Sequence, residues 1–231
     1  HVPTGGGLVN PAAEIGKIAK AAGIPFILDA CQSVGQIPID VEEIGCDLLC
    51  ITGRKYLRGP RGTGLLYVRK ELIETLEPPL LDQHAARLIS PGEYEIRSDA
   101  RRFENWEQYC AGKYALASAL DYALSWGPDS IQERVYGLAG LMRKKLSRID
   151  GLQITDEGAE QCGIVTFVSR KDEPAAIKKA LAAKHINVST SKGSGSLVSF
   201  NARGLTEVVR ASVHYFNTRD EIDYFSDTLK R

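Results

Sequence analysis

The chain has 231 residues, 43% of them hydrophobic and 25% charged, the balance of a soluble globular protein able to bury a real core. Its 29 Lys and Arg equal its 29 Asp and Glu, which excludes a global field for drawing in nucleic acid or an anionic membrane; any anion site must be local. The longest apolar runs fall well short of the ~18 residues a membrane span requires, and the five cysteines, Cys31, Cys46, Cys50, Cys110 and Cys162, are scattered and show no metal spacing.

Those thiols read as reduced and buried, which predicts a cytoplasmic protein without a disulfide framework. The chain opens on His1 and enters HVPTGGG with no lead-in element, as a chain cut in the middle would. Residues 10–24 carry apolar side chains at helical spacing, with Asn10 as the expected cap and Pro11 at the first helical position. Residues 25–30 (PFILDA) form a short apolar run that ends on an acid, as a buried parallel strand would. A helical turn at residues 41–45 leads to a second strand at 46–51. The segment 52–68, TGRKYLRGPRGTGLLYV, then packs Arg54, Lys55, Arg58 and Arg61 into one connection before a third strand. An ordinary turn needs glycine and proline but not so much like charge.

A short helix is expected at residues 70–76, and residues 90–104 read as a long irregular loop of the kind that often carries function. Two amphipathic helices follow, at 108–126 and 130–149, separated by the turn signal GPD. Beyond Gly151 the order is strand 152–155, strand 163–169, helix 174–184, strand 186–190, strand 208–215 and helix 219–230, a small α+β domain with a mixed sheet. SKGSGS, at residues 191–196, reads as a flexible or ligand-approaching loop. Chemistry-bearing residues fall at the expected strand ends, where open α/β sheets hold ligands: Asp29 closes the first, and Thr52, Arg54 and Lys55 follow the second. Arg210 lies on a strand of the small domain.

LDACQSVGQ, TGRKYLRGPRGTGLLYV and VRASVHYFNT followed by RDEID resemble successive signature segments of the class V branch of pyridoxal-phosphate (PLP) enzymes. That branch holds cysteine desulfurases, selenocysteine lyases, isopenicillin epimerase and ergothioneine C–S lyases. The resemblance implies an α/β fold of type I. Residues 1–127 would be the carboxy-terminal part of the large PLP-binding domain, with a mainly parallel sheet, and 128–231 the small α+β domain. It implies that an amino-terminal part is missing. It further implies PLP as cofactor, a small amino-acid substrate, a homodimer, and no metal, nucleic acid or membrane partner.

By the same resemblance Lys55 would form the Schiff base with the cofactor aldehyde, and Asp29 would pair with the pyridine nitrogen. Gln32 would touch the ring oxygen, Thr52 and Arg54 would hold phosphate, and Thr4 is a further implied cofactor contact. Arg210 would hold the substrate carboxylate. These residue types suit those tasks: neighbouring cations keep a lysine amine nucleophilic, a carboxylate keeps a pyridinium protonated, and a guanidinium grips a carboxylate through two hydrogen bonds. Persulfide-forming relatives need a thiol on a small-domain loop, and residues 187–204 contain none. The expected reaction is therefore transformation of an amino acid through an external aldimine ending in C–S β-elimination. Aminotransfer and epimerisation are the alternatives of the same fold, and a non-catalytic, anion-binding remnant is the alternative outside it.

Overall fold

A computed structural model of the chain describes residues 1–230, in two compact units. The first comprises residues 11–31 and 39–122, and the second residues 1–10, 32–38 and those from 123 onward.

In the first unit, α1 (Ala12–Ala21) starts one residue later than expected: Pro11 is its cap position, with no side-chain hydrogen bond, and Asn10 does not cap it. Strand β1 (Ile27–Asp29) follows, then α2 (Val41–Ile44), whose first amides are satisfied by the Asp40 carboxylate at 2.8 and 3.2 Å. Strands β2 (Leu48–Thr52) and β3 (Gly64–Val68) complete a sheet of order β1-β2-β3. The expected parallel pairing holds for β1 and β2, whereas β3 returns antiparallel to β2. An eleven-residue connection is too short for a crossover helix, so antiparallel return is the geometry open to it. Leu49 and Ile51 alternate into the core from β2.

Helix α3 (Lys70–Ile73) is one turn long. Residues 90–104, expected as a loop, take part in a hairpin of β4 (Ala86–Ser90) and β5 (Glu93–Ile96), followed by a 3-10 turn at Ala100–Phe103. The hairpin escapes the sequence pattern because most of its side chains are exposed, so no apolar alternation marks it. Helix α4 runs Cys110–Trp126.

In the second unit, α5 (Pro128–Leu146) buries Ile131, Val135, Leu138, Met142 and Leu146, one face at helical spacing, against β6 (Leu152–Ile154) and β7 (Ile164–Ser169). There follow α6 (Pro174–Ala182), β8 (Ser189–Lys192), α7 (Leu197–Ala202), β9 (Glu207–Ser212) and α8 (Arg219–Thr228). The sheet order is β6-β7-β9-β8, and each pairing is antiparallel, so the mixed sheet expected here is a purely antiparallel one. Strand β8 begins later than expected because the chain first closes α6: His185 takes a left-handed φ of 59° and Ile186 N–H reaches back to the Leu181 carbonyl at 3.0 Å. The SKGSGS segment is the end of β8, a 3-10 turn at Gly193–Gly195 and the approach to α7 rather than an open loop.

Ile164, Val165, Phe167, Val208 and Val209 fill the middle of this sheet. Val2, Val9 and Ile37 join Cys162 and Ile164 in one buried cluster, which ties the amino-terminal residues to this unit. Gln36, fully buried, donates to the Gln32 carbonyl at 2.6 Å and accepts from Gly163 N–H at 2.9 Å, so it costs little to bury.

Candidate functional site

Parallel pairing of β1 and β2 sets Asp29 opposite Cys50, and Thr52 ends β2 two residues beyond. Both carboxyl ends therefore share one edge of the first unit's sheet, the edge at which open α/β sheets hold ligands. The chain past Thr52 is pinned by backbone bonds: Gly53 N–H to the Thr63 carbonyl at 2.9 Å, Gly59 N–H to the Gly53 carbonyl at 2.7 Å, and Arg58 N–H to the Lys55 carbonyl at 2.9 Å. A Cβ on Gly53 would lie 2.3 Å from Thr63 Oγ1, so this closure requires glycine. The result is a tight loop that fixes half-buried Lys55 between Arg54 and Arg58.

The cations of this loop have separate tasks. Arg54 Nη1 donates to Thr52 Oγ1 at 2.8 Å, which occupies a lone pair of the hydroxyl and leaves its proton for an incoming acceptor. Arg58, held at φ 59°, lies 4.9 Å over the ring of Tyr122 and is thereby turned to packing. Arg61 is exposed.

Asp29 accepts from the Cys31 amide at 2.8 Å. Burial raises its pKa, but the backbone and side-chain bonds from Cys31, together with the amino-terminal charge and then that of Lys55, outweigh it, and the carboxyl stays below its ordinary range. Asp29 is therefore ionised at neutral pH. The adjacent Cys31 thiol moves the other way: burial, with Asp29 beside it, pushes it up to about 11. Cys50 belongs to the same cluster, a neighbour that the sequence spacing did not reveal because strand pairing supplies it.

The remaining expected residues lie in the second unit. Gln32 is buried and its Nε2 donates to Thr4 Oγ1 at 3.3 Å. Arg210 is half-buried on β9, in register with Thr166 of β7 and Ser189 of β8.

The profile of the family described as aminotransferase class-V matches residues 1–225. The chain belongs to the aminotransferase class-V family. This family comprises PLP-dependent enzymes of fold type I. A "probable cysteine desulfurase" of Methanothermobacter thermautotrophicus is 30% identical over the whole of this chain and 58% of its own length. One of Pyrococcus abyssi is 28% identical over the whole chain and 57% of its own. The structure of the apo cysteine desulfurase from Thermococcus onnurineus superposes with a TM-score of 0.94 at 28% identity, again over the whole chain and 57% of that protein. A cystine C–S lyase shares the fold, with a TM-score of 0.84 at 22% identity. This class-V chain thus spans a little over half the length of the relatives it matches. No helix among the described residues is long and apolar enough to cross a membrane.

The residues at the sheet edge fit the family's cofactor. They offer an ionised carboxylate, a primary amine that the carboxylate senses, and a hydroxyl bonded to a guanidinium.

Proposed function

We propose that this class-V chain takes part in a PLP-dependent C–S β-elimination on a small amino acid, in a cytoplasmic homodimer. The observation that carries the reading is the sheet edge at which Asp29, Thr52, Arg54 and Lys55 converge on two parallel strand ends. When bound, PLP supplies an electron sink conjugated to the Cα of the amino acid. Asp29, ionised, holds the proton on the ring nitrogen. Thr52 Oγ and the Arg54 guanidinium bind phosphate, and Gln32 with Thr4 adds hydrogen bonds to the ring side. The Lys55 amine would hold the aldehyde carbon and, once the amino acid displaces it, its Nζ would take the Cα proton and pass it to the sulfur that leaves Cβ. Arg210 orients the substrate by its carboxylate. In domain terms, residues 1–127 belong to the large domain of this architecture and 128–231 to the small one.

Elimination is favoured over persulfide-forming desulfuration by the positions of the thiols. A protein-bound persulfide needs a thiol that the substrate's sulfur can reach, on the small-domain loop where persulfide-forming relatives need it; exposed Cys110 instead opens α4, and residues 163–231 contain no cysteine. Cys162 itself is fully buried and its thiol pKa is raised, chiefly by burial. Cys31 lies beside Asp29 with a raised pKa of its own.

The test is to incubate the PLP-loaded chain with cysteine and with cysteine thioethers, measuring ammonia, keto acid and protein-bound persulfide. Keto acid and ammonia in equal amounts, without persulfide, are expected. A persulfide on any of the five cysteines that turns over at the rate of product formation would contradict the assignment.

A further inference from the structure

The sheet edge holds a second donor set. One ligand atom each from Asp29, Cys31 and Cys50 lies within 4.8 Å of the other two. Three local features bring them together. The β1–β2 register puts Asp29 opposite Cys50, and Ala30 N–H extends that ladder to the Cys50 carbonyl at 2.9 Å. The bond from Cys31 N–H to Asp29 Oδ1 then folds the chain back, so that Cys31 Sγ sits 3.9 Å from the Cys50 carbonyl oxygen.

We propose that Asp29, Cys31 and Cys50 form a binding site for a thiophilic divalent cation of the zinc class, held by two thiolates and one carboxylate with a fourth position open. Zinc takes sulfur at ~2.3 Å and carboxylate oxygen at ~2.0–2.2 Å in a tetrahedron, which separates its ligand atoms by roughly 3.4–3.8 Å. The ligand atoms, within 4.8 Å of one another, would have to draw together by up to about 1 Å to reach that spacing. The donors are soft sulfur and hard oxygen together, which suits zinc or cadmium and disfavours magnesium or calcium. Half-burial of both cysteines leaves the site open to entry from solvent.

Two consequences follow. Binding must expel the thiol protons of both Cys31 and Cys50, so affinity rises with pH. The second consequence rests on the reading of Asp29 as the partner of the pyridine nitrogen: its carboxylate cannot serve ring and metal together, so the cation and PLP exclude one another.

The experiment uses the purified chain freed of PLP and metal, with Cd2+ as probe and thiolate-to-cadmium ultraviolet absorption and equilibrium dialysis as readouts. One Cd2+ per chain is expected, bound more tightly at about pH 8 than at about pH 6. Cys50→Ser and Cys31→Ser should each weaken binding at least roughly tenfold, whereas Cys110→Ser leaves it unchanged. Zn2+ should displace Cd2+, and PLP loading should block it. No tight cadmium, or the same binding in Cys50→Ser with the circular dichroism of the native chain, would overturn the site, even if borohydride still fixes PLP on Lys55. Equal cadmium affinity with and without bound PLP would overturn the exclusion and, with it, the ring-partner role of Asp29, while leaving the metal site standing.

Discussion

Asp29 and Cys31 sit two residues apart and share a hydrogen bond, yet their ionisation is driven in opposite directions. The carboxylate is stabilised as an anion, and the same anion raises the cost of making a thiolate next to it. A thiol is neutral below its pKa and becomes nucleophilic as pH rises through it. With a value of about 11, Cys31 should be thiolate in only about one molecule in a thousand at about pH 8. Iodoacetamide labelling of the PLP-free chain should therefore mark exposed Cys110 first, with the Cys31 rate climbing about tenfold per pH unit towards 11. Equal labelling of Cys31 and Cys110 at about pH 8 would refute this environment. At this scale the sequence exposed Asp29, Thr52, Arg54 and Lys55 as a set, because each closes a strand or follows one within three residues. It concealed Cys50, whose relation to Cys31 exists once β1 and β2 pair, and it gave no sign that Arg58 would pack on Tyr122.

At the scale of elements, the clearest tether in the second unit is Asp156, whose side chain is fully buried. It receives Arg143 Nε at 2.8 Å, Gly7 N–H at 3.0 Å, Thr166 N–H at 3.0 Å and Thr166 Oγ1 at 2.6 Å. One carboxylate thereby joins α5, β7 and the amino-terminal segment. Removing it takes away the anion beside Arg143, whose Nη2 keeps its bonds to the Cys162 and Ile164 carbonyls, and leaves three other donors without their acceptor, so Asp156→Ala should cost about 3–5 kcal/mol in urea unfolding of the second unit. A loss below about 1 kcal/mol would show that water replaces these bonds freely. This tether could not be read from the sequence, since its members are scattered from residue 7 to 166. The helices and the apolar strands were legible, because burial of one helix face leaves a period of 3.6 and burial of most of β7 leaves an apolar run; β1 and β3 are apolar runs too, but mostly exposed in this chain, so the burial expected of β1 is not observed. The exposed β4–β5 hairpin was not, having no buried face to impose alternation. Strand direction in the second unit was equally hidden, because apolar runs do not encode whether neighbours run parallel.

For the whole molecule, the question posed by the cationic connection at residues 52–68 now has an answer in parts. Arg58 packs, Arg54 braces Thr52, Arg61 faces solvent, and Lys55 is held at half-burial where Asp29 senses its charge. Family membership and fold type were legible because the matching segments run through nearly the whole chain in order, while the reaction depends on which thiols and carboxylate partners come into reach. The central claim is that Lys55 carries the cofactor, and it is tested most directly by adding PLP to the chain, reducing with borohydride and mapping the peptides. The account predicts one pyridoxyl group per chain on Lys55, absent from Lys55→Ala. A label on Lys70 or Lys113, or an undiminished label in Lys55→Ala, would contradict it.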